Sequence, residues 1–327
     1  MRHLSLARRL TLLLATGLWL AGCGSDLAET EPSPSDDSTP STALTNGDFT
    51  AEVDGHVIHY LVSGEGPPLM VLPNSWGITI EGLRPLFSGL EEDFTVVYFD
   101  PRGMGGSGPV IEDSDMGMAA VRTDFDSLRR HLGLDQVRVI GWSNGAQNLI
   151  FLAAEYPQTL SHVVFLHGIA RFAPEDMADI MQRHPELTES FVAIQQQLSD
   201  ESLSDEEKDA MWKEFVLETW FPQLFADPEA GRETLREIFA DTDMSWRHNL
   251  YSNQEAGGGF DARGRLGSIS AKSLVIAGAA DMMPPERAEE IHDGIADSEF
   301  VVFEHSGHFA PVEEPERFVS TVVAFLE

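Results

Sequence analysis

Five residues, Gly141-Trp142-Ser143-Asn144-Gly145, constrain this chain more than any other stretch. They follow an apolar run at 136–140 that reads as a buried strand, and they precede a helical pattern at 146–156. A serine on a tight strand-to-helix turn lifts its hydroxyl above the sheet edge. Glycines two positions to either side let neighbouring backbone pass where a Cβ would clash. A strand-turn-helix unit of this kind needs other strands beside it, and the chain supplies them. Residues 49–53 and 56–62 read as strands paired across the Asp54-Gly55 turn, and 68–72, 94–99, 161–166, 272–277 and 299–303 as further strands. Helical patterns fall at 80–90, at 116–132 and from 315 onward. Strands alternating with helices predict an α/β fold with a doubly wound, mostly parallel sheet, and no repeat at a solenoid period competes with that reading.

A serine hydroxyl is a weak nucleophile until a base takes its proton, and the base needs a carboxylate to hold its tautomer. Both partners follow Ser143 in the chain. The strand at 272–277 runs into Gly278-Ala279-Ala280-Asp281, with Pro284-Pro285 opening the next helix. The strand at 299–303 runs into Glu304-His305-Ser306-Gly307-His308-Phe309. Asp281 alone has a competing explanation as a helix cap, and His308 as a buried structural histidine. Their order behind the serine favours chemistry: Ser143 as nucleophile, His308 as base, Asp281 as the acid that orients it.

Together with Asp100-Pro101-Arg102-Gly103 after a strand and Glu314-Pro315 behind the histidine, these stretches resemble the α/β-hydrolases. The resemblance runs from about residue 49 to the C-terminus, apart from a variable middle segment. It implies a triad at the carboxyl ends of the strands, no metal and no organic cofactor, and a helical cap inserted between the sixth and seventh strands. The expected boundaries are 47–167 and 267–327 for the core and 168–266 for the cap. The oxyanion hole would use the backbone N–H of Asn144 and that of Ser75, in the turn Leu72-Pro73-Asn74-Ser75-Trp76-Gly77. Relatives often carry His-Gly at Pro73-Asn74, and Pro73 has no N–H to donate.

Trp76 and Trp142, beside the two turns, are candidates for the substrate pocket. The cap aromatics Trp212, Phe215, Trp220, Phe221 and Phe225 lie at near-helical spacing; they either pack the cap's own core or in part line the pocket. Gly257-Gly258-Gly259 reads as a hinge or flexible loop.

Within the fold, the stretch Val97-Tyr98-Phe99-Asp100-Pro101-Arg102-Gly103 and Trp76-Gly77 are similar to the proline iminopeptidases. That family typically has His-Gly-Gly-Pro-Gly at Pro73 to Gly77, Gln at Pro101 and Gly-Gly-Ser-Trp-Gly at the elbow. An aminopeptidase also needs a carboxylate for the substrate ammonium, for which Glu218 and Glu255 are candidates. A small-acyl esterase or lactonase fits the same residues, as does a ligand-binding protein on this fold that does not turn over.

Two patterns mislead. Gly103-Met104-Gly105-Gly106-Ser107-Gly108 has dinucleotide-binding spacing, yet Asp100-Pro101-Arg102 separates it from the strand and no helix follows directly. The pairs His56/His59 and His305/His308 suggest metal; the first pair points to opposite faces of a strand, and the second shares the histidine turn, where His305 reads as a turn or pocket-rim residue.

The N-terminus carries a separate message. Arg2, Arg8 and Arg9 precede an apolar run at 10–20 and then Leu20-Ala21-Gly22-Cys23, which resembles a bacterial lipoprotein signal peptide at 1–22 with Cys23 as the lipidated residue. Cys23 is the only cysteine, so no intramolecular disulfide forms. Residues 23–46 are rich in Ser, Thr, Pro and acids and read as a solvated tether to the bilayer. No aspartate follows Cys23 directly, a pattern that in lipoproteins favours the outer membrane over the inner. Removing residues 1–22, with three arginines and no acids, takes the formal charge from −33 to −36. Such a chain does not suit nucleic acid. The acidity reads either as a soluble surface or as adaptation to salt.

Overall fold

The computed structural model describes residues 44–255 and 259–327. The leader at 1–22, Cys23, nearly all of the tether and Gly257-Gly258 lie outside them, as do the side chains of 253–255. Among the described residues no helix is long and apolar enough to cross a membrane.

Strands β1 (Gly47–Val53) and β2 (His56–Ser63) pair antiparallel, with Val53 opposite His56. Asp54 (φ 49°) and Gly55 (φ 83°) take the left-handed conformations that a two-residue hairpin turn requires. Next come β3 (Pro68–Leu72), α1 (Ile80–Phe87), β4 (Thr95–Phe99), α2 (Met118–His131), β5 (Val137–Trp142), α3 (Asn144–Glu155) and β6 (Leu160–Leu166). The inserted segment holds β7 (Arg171–Phe172), α4 (Pro174–Arg183), α5 (Pro185–Leu198), α6 (Asp205–Phe215), α7 (Pro228–Ile238), α8 (Trp246–Glu255) and β8 (Phe260–Asp261). Then α9 (Arg263–Leu266), β9 (Lys272–Gly278), α10 (Pro285–Gly294), β10 (Ser298–Phe303), α11 (Ala310–Glu313) and α12 (Pro315–Leu326) close the chain.

The main sheet has eight strands in the order β1-β2-β4-β3-β5-β6-β9-β10, parallel from β4 to β10. Its period of two is visible along β4. Val96 and Tyr98 enter the core under α1 and α12, while Val97 and Phe99 enter the one under α2, α3 and α10. Because both faces are covered, these strands read as continuous apolar runs. From β3 the chain goes to β4 on one side and returns to β5 on the other. That reversal opens a crevice at the carboxyl ends of β3 and β5, where ligands bind in open α/β sheets.

The sequence showed no strand signal across the insertion, and here the structure differs. β7 and β8 pair antiparallel, with Arg171 opposite Asp261, and Ala262 N–H donates to Ala170 O at 2.8 Å. Two-residue strands are too short to show alternation. Ala170, Ala262 and Leu266 belong to the core flanking the sheet. Cap and sheet form one compact unit, Thr42–Glu327. Within the cap, α6 starts on a reciprocal cap, Ser204 Oγ accepting from Glu207 N–H and Glu207 from Ser204 N–H, and α7 starts on Asp227.

Candidate active site

Ser143 occupies the turn from β5 to α3 with φ 58° and ψ −126°, a left-handed conformation that costs a non-glycine residue. Its N–H donates to Leu166 O at 2.8 Å, and its own carbonyl accepts from Gln147 N–H. The flanking glycines are needed for space. A Cβ on Gly141 would meet Gly145 O at 2.7 Å, and one on Gly145 would meet Leu72 O at 2.9 Å.

Asp281 and His308 come from the neighbouring ends of β9 and β10. A Cβ on Gly278 would lie 1.9 Å from Gly307 O, so only glycine lets the two turns approach this closely. His308 Nδ1 bonds Asp281 Oδ2 at 2.6 Å, and Met283 N–H donates to Asp281 Oδ1 at 3.1 Å. Burial pushes the Asp281 carboxyl up, but the charge of His308 and hydrogen bonds from His167 and His308 outweigh it and hold the group well below the usual carboxylate range. The helix-cap explanation does not apply, since α10 begins after Pro284. The cap fixes the histidine turn from above: His308 N–H donates to Leu224 O at 2.7 Å. His305 is a turn residue whose N–H donates to Glu314 Oε1.

A third side chain, His167, was not visible as a site residue in the sequence. It is the first residue beyond β6, and its Nδ1 lies 3.3 Å from the same Asp281 oxygen. His167, Asp281 and His308 are also the described residues with metal-ligand spacing, all three ligand atoms within 4.8 Å. His308 Nδ1 is hydrogen-bonded to the carboxylate at 2.6 Å, while His167 Nδ1 lies near the same oxygen without a well-formed hydrogen bond. Ligand atoms about 2.0–2.2 Å from a tetrahedral zinc would stand further apart than the bonded pair.

The turn after β3 is wired to the cap. Asn249 Nδ2 donates to Ser75 O at 2.9 Å, Ser245 N–H to Gly77 O at 2.9 Å, and Trp212 Nε1–H to Trp76 O at 3.1 Å. Ser75 N–H, the expected oxyanion donor, points at the elbow and donates to Asn144 Oδ1 at 3.0 Å, while Asn144 Nδ2 donates to Ser75 Oγ. The Asp100 motif holds the start of α1, the helix that follows this turn. Its carboxylate accepts Ile80 N–H and Gly106 N–H and contacts His59 Nδ1. Gly103 and its neighbours form a tight loop around it, with no α-helix until α2.

Ser143, His308, Asp281 and Asn144 open onto a cavity of about 640 Å³. No hydrogen bond joins Ser143 Oγ to His308 among the described residues; such contacts commonly tighten only with substrate bound. Trp76, Trp212, Trp220 and Trp246 line the cavity with Phe172, Phe191 and Phe260. Of the cap stripe, then, Trp212 and Trp220 reach the cavity, whereas Phe215, Phe221 and Phe225 pack the interior. The polar lining beside the reacting groups is Gln147, His167, Gln195 and Asn249. No Lys, Arg or Glu lines the cavity among the described residues.

Two expectations need correction. Trp142 does not line the cavity: it shares a face of β5 with Ile140, is 2% exposed, and donates its indole N–H to His308 O at 2.9 Å. Glu218 sits on the cap surface, paired with Arg236 at 2.6 Å, and cannot meet a ligand in the cavity. Trp76 is placed as expected, stacked on Trp212 with ring centroids 5.5 Å apart.

Comparison with known proteins agrees with this architecture. The chain is 25% identical over 283 residues to a proline iminopeptidase of Clostridioides difficile, covering 83% of this chain and 95% of that protein. It is 24% identical over 303 residues to the 2-hydroxy-6-oxo-6-phenylhexa-2,4-dienoate hydrolase of Comamonas testosteroni, covering 87% and 99%. An α/β fold family hydrolase from Bacillus anthracis superposes with a TM-score of 0.70 at 21% identity, covering 85% of this chain and 99% of that one. The alpha/beta hydrolase fold family matches residues 68–315, and with the sheet order described above the chain belongs to that family.

Proposed function

We propose that this protein is a serine hydrolase that cleaves a neutral carboxylic ester bearing a bulky apolar acyl group. One observation carries the reading: Ser143, His308 and Asp281 open onto a large cavity whose described walls are mostly apolar, rich in aromatic rings, and uncharged apart from the reacting groups themselves. His308 removes the Ser143 proton as Oγ attacks the carbonyl carbon. The developing oxyanion takes hydrogen bonds from the N–H groups of Asn144 and Ser75. His308 then protonates the leaving alkoxide, and water repeats the cycle on the acyl-enzyme to release the acid. Asp281 keeps the His308 proton on Nδ1 and stabilises the imidazolium.

Both named relatives handle charged compounds: an iminopeptidase acts on a free N-terminal amine, and a dienoate is an anion. An ammonium needs a carboxylate partner and a carboxylate a cation, and the described lining offers neither beyond Asp281, which is committed to His308. The aminopeptidase alternative rests on Glu255. Hydrolysis of a neutral aryl ester set beside an unblocked proline arylamide, with Ser143→Ala as control, tests the proposal. Serine-dependent ester cleavage is expected to dominate; serine-dependent amide cleavage of comparable rate would establish the aminopeptidase instead, and no cleavage of either would favour a binding protein.

The leader and lone Cys23 support a lipid-anchored protein of the bacterial cell envelope, at the outer membrane, with residues 23–46 as its tether. Metabolic labelling with a fatty-acid probe, lost in Cys23→Ser, tests it.

A further inference from the structure

We propose that His167 is a positioning residue of this site, flanking Asp281 beside His308 and setting how much of the carboxylate's charge reaches His308. The inference rests on the hydrolase reading above. β6 and β9 are adjacent and parallel, with Leu166 opposite Ile276, so the residues just beyond them converge. His167 N–H adds one more rung, donating to Ile276 O at 2.8 Å. There the chain turns with φ 52°, one of three left-handed non-glycine residues among those described; Ser143 is another. Backbone strain of this kind persists where the surroundings hold it, and it gathers at functional sites.

The side chain is 0% exposed. Its Nε2 faces Ala310 N–H at 3.4 Å and can only accept from it, so the ring proton lies on Nδ1. Nδ1 lies 3.3 Å from Asp281 Oδ2, which His308 holds at 2.6 Å, and the contact is too bent to be a formed hydrogen bond. This buried donor is therefore without a hydrogen-bond partner among the described residues, and Asp281 is the acceptor within reach. An orphan donor is costly in an interior, and a carboxylate shared between two imidazoles explains its retention. The rings lie 5.1 Å apart. Burial lowers the His167 pKa, which keeps it a neutral donor beside the charge that develops on His308. The titratable groups facing it are Asp281 and His308; Glu313 stands behind the histidine turn, accepting from Gly307 and Phe309 N–H.

The consequence has a sign. A donor on Asp281 draws charge away from His308, so removing it strengthens the hold of Asp281 on the imidazolium and moves the acid limb of kcat/KM to higher pH. The test compares His167→Phe, His167→Gln and His167→Asn with wild type on the full chain, reading ester hydrolysis against pH and the rate of Ser143 labelling by a fluorophosphonate. An asparagine places its amide N–H near the position of Nδ1 and tolerates left-handed backbone. A glutamine reaches toward the Nε2 position instead.

Expected for Phe and Gln are an acid limb raised by about half to one pH unit and kcat lowered at least about tenfold, with Asn close to wild type. An unmoved acid limb in all three, even with reduced kcat, reduces His167 to a packing residue and overturns the proposal. An Asn variant that behaves like Phe overturns it too. Failure of the wild type itself to label or to turn over removes the hydrolase reading, a result distinct from either of these.

Discussion

Ser75 N–H and Asn144 Oδ1 are bonded to each other at 3.0 Å, so the side chain of one expected oxyanion residue covers the backbone donor of the other. A substrate carbonyl must replace the Asn144 carboxamide before Ser75 can hold it. Asn144→Ala keeps the residue-144 N–H and removes the competitor. A neutral hydrogen bond is worth about 1 kcal/mol net, so the variant is expected to bind a phenylboronic acid about fivefold more tightly. Calorimetric titration reads this directly, and weaker binding would mean that Asn144 builds the donor site.

Gly278 allows the turn bearing Asp281 to touch the turn bearing His308. Gly278→Ala forces a Cβ to within 1.9 Å of Gly307 O, a backbone atom with nowhere to go. Stability is expected to fall by about 1–3 kcal/mol. Activity should fall further than the folded fraction does, because the strain parts the two residues. Urea unfolding beside assay of the folded protein separates the two effects.

His59 links stability to pH at a distance from the chemistry. Its hydrogen bond to Asp100, opposed by burial and aided by Asp48, raises its pKa from the ordinary 6.5 to about 9. The folded value exceeds the unfolded one, so the contribution is fully present below about pH 6.5 and is lost as pH rises through about 9. With allowance for solvent screening, the loss is about 1 kcal/mol. Denaturant melts at pH 6, 8 and 10 should show it in wild type and show less of it in His59→Gln.

Trp220 lines the cavity at 9% exposure, in contact with Trp76 and Phe191. Trp220→Ala should lower kcat/KM for an arylacetate ester about tenfold or more while changing an acetate ester little, since a small acyl group does not reach this wall. Equal losses on both esters would place Trp220 in the cap's stability instead.

The fold was legible wherever a signal is local. The alternation of buried strands with helices and the Asp54-Gly55 hairpin are read within a few residues, and each appears in the structure within about three residues of its expected ends. His167 was hidden because its partner lies on a strand adjacent in the sheet but more than a hundred residues away in sequence. Trp142 misled because its closeness to Ser143 in sequence outweighed the period-2 rule, which pairs it with Ile140 on the buried face. The cap walls were illegible for a different reason. In a stripe such as Trp212, Phe215 and Trp220, which rings face a void depends on helices α4, α5 and α8 arriving from elsewhere.

The short β7–β8 stem makes the cap a cassette. Its two ends leave and rejoin the sheet side by side, at Arg171 and Asp261, so inserted chain of another length or shape could be spliced there without altering the strand order. A new cassette would have to match the old one at the contacts of Trp212, Leu224, Ser245 and Asn249 with the turns around the reacting groups, and refill the core that the cap aromatics share with the sheet.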